Sequence, residues 1–277
     1  MTTGGIKKFI TTSRVKFTAS KTSARDVHIS DFAHSTQKKE RLSSYLADRA
    51  PLLYRDAKAI SEDFEDGFFL TPIKDTLRKL PTSLPFQQSH FAEILAAVFA
   101  EEVLGLRRVY SKLSLLTSEN ANAYKINLLM YRPNSRPVEF VLGEVKSSHK
   151  SADEGLPSNH HTSCFADLFN SAREYAEDDY EFDLAAAKDR LHNLKEPDRT
   201  DVREALKPSG SRVVGFAGLV VIDHGTKNDK ETPVLATRKS KRTFNVELLC
   251  VEKINETTNS MFSFLKKMRD FSDTDAE

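Results

Sequence analysis

Two runs of this chain, Val213–Ile222 and Phe244–Val251, are apolar at nearly every position. A strand with one wet face alternates apolar and polar residues, whereas a run without that alternation is covered on both faces, as at the centre of a parallel or mixed sheet. Helices must supply the cover, and the sequence offers them. Gln37–Leu80 carries apolar residues at helical spacing around a break at Pro51, and Ser89–Leu104 reads as a helix with Ser89 as N-cap and Gly105 as its stop. Phe165–Tyr175, Leu184–Leu194 and Met261–Phe271 read as three more. The two prolines in Pro81–Pro85 mark a junction before the Ser89 helix.

Between the Ser89 helix and the crossover, three strands are predicted: Val109–Thr117, Ala123–Tyr131 and Val138–Lys146, the last two joined by the proline-bounded turn Pro133–Pro137. The order helix, three strands, helices, two strands, helix predicts an α/β fold on the α+β borderline, with a mixed central sheet flanked by helices. Three regions follow: a basic arm or edge element over residues 1–36, a helical region over 37–85, and a core over 86–277 that ends in an acidic tail.

Charge excludes more than it identifies. Lys and Arg number 41 against 40 Asp and Glu, a net charge of +1, so no single-sign field advertises a partner. With 39% hydrophobic residues the chain can bury a large core. Its longest apolar run is far short of the roughly 20 residues that span a bilayer. Two cysteines, Cys164 and Cys250, form no CxxC pair and no disulfide framework, and no signal-peptide pattern opens the chain, so a reduced cytoplasmic protein is expected. No GxxxxGK[ST] loop occurs, so any ATP must be handled by another protein.

The chemistry concentrates in Val138-Glu139-Phe140-Val141-Leu142-Gly143-Glu144-Val145-Lys146. Side chains alternate in a strand, so Phe140, Leu142, Glu144 and Lys146 share one face, which runs apolar and then ends in a charged pair. Burying such a pair costs several kcal/mol per ion, on the order of more than its structural value returns. Folding the hairpin about Ser135 sets Asn127 opposite Gly143 and beside Glu144, within one residue of register. Glu93 lies on the alanine-lined side of its helix, which lets the helix approach the sheet and bring a third oxygen to the same point.

A helix Glu, a middle-strand Asp or Asn, and Glu-x-Lys in this order resemble the restriction-endonuclease-like PD-(D/E)xK nucleases. The segments QSHFAEILAAVFAEEVLG, YKINLLMYR and FVLGEVKSSH are similar to the HamA family, the nuclease subunits of the Hachiman anti-phage defence system, from about Gln37 to the last helix. The resemblance implies a Mg²⁺-dependent DNA endonuclease of the bacterial cytoplasm, with Mn²⁺ a possible substitute. Glu93, Asn127, Glu144 and the Val145 carbonyl would be the metal's oxygen ligands, and Lys146 would act on the attacking water or the phosphate. It also implies a superfamily 2 helicase, HamB, as the controlling partner. The family pattern has Asp where this chain has Asn127, which weakens metal binding and brings Glu119 into view as a substitute.

Blander readings stand beside these. Glu144 and Lys146 could be an exposed strand-end ion pair worth about 0 to 1 kcal/mol, and the chain a catalytically weak nucleic-acid-binding or assembly subunit. His160 and His161 read as a loop pair, Asp223-His224 as a turn, and Arg238–Arg242 as a solvated basic turn.

Overall fold

Seven strands form one mixed sheet in the computed structural model, which describes residues 5–17, 24–32, 35–55, 57–67, 71–116, 126–150, 162–176, 180–226 and 244–274. The strands are β1 (Ile10–Phe17), β2 (Ala24–Phe32), β3 (Arg107–Ser111), β4 (Leu128–Arg132), β5 (Val138–Ser148), β6 (Arg212–Asp223) and β7 (Phe244–Val251). Their order is β1-β2-β7-β6-β5-β4-β3. The pairs β2·β7, β7·β6 and β6·β5 are parallel, and the hairpins at the two edges are antiparallel. The apolar runs β6 and β7 therefore lie at the centre, where their lack of alternation requires them.

The helices are α1 (Thr36–Arg49), α2 (Pro51–Tyr54), α3 (Ala57–Glu65), α4 (Thr71–Lys79), α5 (Leu84–Glu102), α6 (Thr162–Ala176), α7 (Glu181–Lys188), α8 (Asp198–Ala205) and α9 (Ile254–Thr274). One sheet face packs Val141, Val145, Leu219 and Leu249 against α1, α2, α5 and α9 in a single apolar cluster. The other face has two: α7 and α8 cover β3, β4 and β5, and α6 covers β2, β6 and β7. The result is an α/β fold with a mixed sheet between two helical layers.

Several elements differ from the sequence expectations, each for a local reason. Helix α5 starts at Leu84 rather than Ser89, with Pro85 in its first turn, where a missing N–H costs no hydrogen bond. Val109–Thr117 is not one strand: β3 ends at Ser111, whose hydroxyl accepts the Leu113 N–H at 3.1 Å and starts a 3-10 turn over Lys112–Leu115. The middle strand begins at Leu128, and α7 stops at Lys188 before a short 3-10 turn and the unpredicted α8. Helix α9 begins at Ile254, seven residues ahead of the apolar stripe that marked it, because the Asp223 carboxylate accepts the Ile254 N–H at 2.9 Å. Gly105 has φ 68°, the left-handed stop its position required.

Candidate active site

Strand β5 carries its apolar residues to Leu142 and then turns charged, as alternation predicted. Phe140 and Leu142 are buried beneath α7 and α8, and Glu144 continues that face with 4% of its surface exposed. The paired residues Leu128 and Gly143 put the hairpin axis between Ser135 and Arg136 rather than on Ser135. Asn127 is consequently next to Leu128 and level with Glu144, one residue from the expected register. It stands outside the β4 ladder, and its Oδ1 accepts the Val145 N–H at 2.9 Å. Close approach of β4 to β5 depends on Gly143, where a Cβ would lie 3.1 Å from both Leu128 Cβ and Met130 Cε.

Glu144 is held from two sides. Lys146 Nζ lies 2.8 Å from its Oε1, and the Ser171 hydroxyl on α6 donates to the same oxygen at 3.1 Å. Helix α6 comes this near because Gly218 pairs with Glu144 across the β5·β6 ladder: a Cβ at Gly218 would be 2.7 Å from Leu168 Cδ2, and Leu168 is one turn ahead of Ser171. The other carboxylate oxygen, Oε2, is buried with no hydrogen-bond partner.

Glu93 approaches from α5, on the opposite face. It is 6% exposed, and its Oε2 is likewise buried and unpartnered. Burial pushes its carboxyl up to about 7; the nearby Lys112 charge pulls down, Glu144 pushes up, and Asn127 and Ser89 favour the charged form. The Glu144 charge thus reaches Glu93 across the sheet end. One turn earlier on α5, His90 Nδ1 lies 2.6 Å from the Tyr54 hydroxyl of α2. Burial, with help from Lys112, lowers the His90 ring to about 4, so it is neutral at pH 7. Burial, with help from Glu93, raises the Tyr54 hydroxyl well above its ordinary value.

The predicted residues Glu93, Asn127, Glu144 and Lys146 are thus gathered at the end of the sheet where β4 has not yet begun, and Val145 lies between the last two. Lys112, Ser171, His90 and Tyr54 join them without having been predicted. His90 was readable as the residue one turn from Glu93, but Lys112 was hidden by the expectation of a continuous strand, and Ser171 only by its place on a helix with no motif. Among the described residues no group of three or more His, Cys, Asp or Glu could hold a metal ion, so the hard donors here are two carboxylates, an amide and backbone. Glu119, His160, His161 and the basic turn at 238–242 lie outside the described residues. Asp223 closes a turn through the Gly225 N–H at 2.8 Å and caps α9.

No curated protein matches the chain. The family model HamA, however, matches residues 6–267, which takes in both edge hairpins, every site residue named above and most of α9. The chain therefore belongs to the HamA family and is a component of Hachiman anti-phage defence.

Proposed function

We propose that the chain is a metal-dependent DNA endonuclease, the effector of its defence system. The observation that carries this reading is the pair of buried carboxylate oxygens, Glu93 Oε2 and Glu144 Oε2, left without hydrogen bonds on elements that converge from opposite sheet faces. An unpartnered buried carboxylate oxygen costs roughly 1–3 kcal/mol or more, and a hard divalent cation is the ligand that relieves two at once. These donors suit Mg²⁺, with Mn²⁺ as a substitute: Glu93 and Glu144 would hold it, Asn127 and the Val145 carbonyl would complete the protein's share, and waters the rest. When bound, such a cation neutralises charge at a phosphodiester and acidifies a water. Glu144, fixed by Ser171 and Lys146, and Glu93, oriented between Asn127 and Ser89, are preorganised for that task. Lys146, 28% exposed, is placed to reach the attacking water or the phosphate.

With no ATP-binding loop in this chain, control of cleavage is assigned in this reading to a motor protein, the superfamily 2 helicase HamB, acting in the bacterial cytoplasm. A second reading has its own support: Asn127 Oδ1 already accepts the Val145 N–H, so the amide is a strut rather than an anionic ligand, and a site so built could serve DNA binding or assembly with little catalysis. Plasmid nicking by the purified chain, alone and with the helicase, with and without Mg²⁺, separates the two. Mg²⁺-dependent nicking that Glu144→Ala removes supports the endonuclease; saturable DNA binding with no nicking under any of these conditions supports the second reading.

A further inference from the structure

We infer that Lys112 is a second phosphate-binding lysine, which takes a backbone phosphate of the DNA from the β3 side of the site. The inference rests on the nuclease reading above and extends its substrate contacts to a residue that no motif marks.

Four observations support it. Lys112 opens the 3-10 turn after β3, and its backbone N–H donates to the Asn127 carbonyl at 2.8 Å, so it is joined to the residue that braces β5 at Val145. The turn is rigidly seated, with Ser111 Oγ capping the Leu113 N–H and Leu113 and Leu116 buried in the main core. Lys112 is half-buried beside the site, and its charge is felt by both Glu93 and His90 of α5. Finally, among the described residues no hydrogen bond or ion pair involves its ammonium, whereas Lys146 is already in contact with Glu144. A half-buried lysine whose three N–H donors meet no acceptor among the described residues is equipped for an anion.

The identity of that anion follows from charge. Two carboxylates and two lysines balance; a divalent cation on the carboxylates leaves a surplus of positive charge, and a phosphodiester strand removes it. Lys112 comes from the turn after β3 and Lys146 from β5, two separate elements, which suits an extended strand with successive phosphates better than a compact free anion.

The test measures DNA affinity against salt for the full chain at a fixed Ca²⁺ concentration, a cation that takes the same oxygen ligands as Mg²⁺, with a short fluorescent duplex. Each phosphate contact contributes a slope of about 0.9 in log affinity against log salt. Lys112→Ala is expected to lower that slope by about this amount and weaken binding severalfold at low salt, while Lys112→Arg keeps the slope. Lys207→Ala serves as the control, since Lys207 pairs with Glu204 away from the site. Lys112→Gln, which retains length for packing, should behave like the alanine variant and melt with the wild type. Folded Lys112→Ala and Lys112→Gln with the wild-type slope would overturn the inference and leave Lys112 as an electrostatic brace for Glu93. Because this readout needs no cleavage, it stands apart from the nicking assay: a chain that never cuts DNA but loses slope with Lys112→Ala refutes the nuclease and retains the phosphate contact.

Discussion

Glu144 has one oxygen doubly held and the other with no partner, and this asymmetry decides what its removal should do. Glu144→Ala deletes a proposed metal ligand and frees Lys146, already 28% exposed, to solvent; Lys146→Ala deletes the cation and leaves Glu144 its Ser171 bond. Each is expected to cut Mg²⁺-dependent nicking by about a hundredfold or more while melting within a few degrees of the wild type. A plain structural ion pair predicts the opposite, a small stability loss and wild-type nicking. Glu93 adds a pH signature. Its folded pKa, about 7, lies above the ordinary 4.5, so the native state holds a proton that the unfolded chain has released. The stability this brings is complete below about 4.5 and is lost as pH rises through 7. Glu93→Gln should therefore melt higher than the wild type at pH 8 in EDTA and alike at pH 4, and added Mg²⁺ should raise the wild type alone; equal melting at pH 8 in EDTA would show that Glu93 carries no such strain. Glu144 and Lys146 were readable because alternation along one strand needs no tertiary information. Asn127 was readable only to within a residue, since half a position in the turn axis separates facing Gly143 from facing Glu144. Lys112 was not, because a serine that caps the next N–H but one is indistinguishable in sequence from a serine in a strand.

At the level of elements, the central strands were the clearest because burial on both faces removes polar residues from the sequence itself. The helices that position the site were clear in type and less so in extent: Pro85 looked like a barrier and is a first-turn residue. What sequence periodicity cannot show is how near two elements lie. Helix α6 reaches Glu144 only because Gly218 has no side chain under Leu168. Gly218→Val should push α6 outward, costing about 1–3 kcal/mol and weakening nicking through Ser171 without touching a proposed ligand; an unchanged melting temperature would mean that α6 repacks freely. A parallel case on β7 needs no metal. Glu247 is 4% exposed and burial pushes its carboxyl up to about 8, with the His28 ring of β2 3.1 Å away. Its contribution is also present below about 4.5 and lost as pH rises through 8. Glu247→Gln should flatten the fall in melting temperature between pH 5 and pH 9, and Mg²⁺ should not alter that effect; an unchanged fall would assign it to other groups.

For the molecule as a whole, near-neutral charge predicts modest DNA affinity for the chain alone. Binding by the isolated chain is expected to weaken steeply between low and physiological salt and to strengthen when a helicase partner is added. Tight binding that ignores salt would contradict this. The sheet order has a further consequence, one for biosynthesis. Strand β2 lies against β7, α1 against α9, and the contacts Ser43 to Thr257 and Lys39 to Glu256 tie the same regions. As the ribosome releases the chain, Glu93, Asn127, Glu144 and Lys146 all emerge while the partner strand of β2 and the last helix are still unmade. A nascent chain thus holds every proposed catalytic group before it has a closed sheet to mount them on. The proposed nuclease would be assembled only after β7 and α9 have emerged, and ribosome-bound chains that stop before residue 244 should be protease-sensitive and unable to nick DNA.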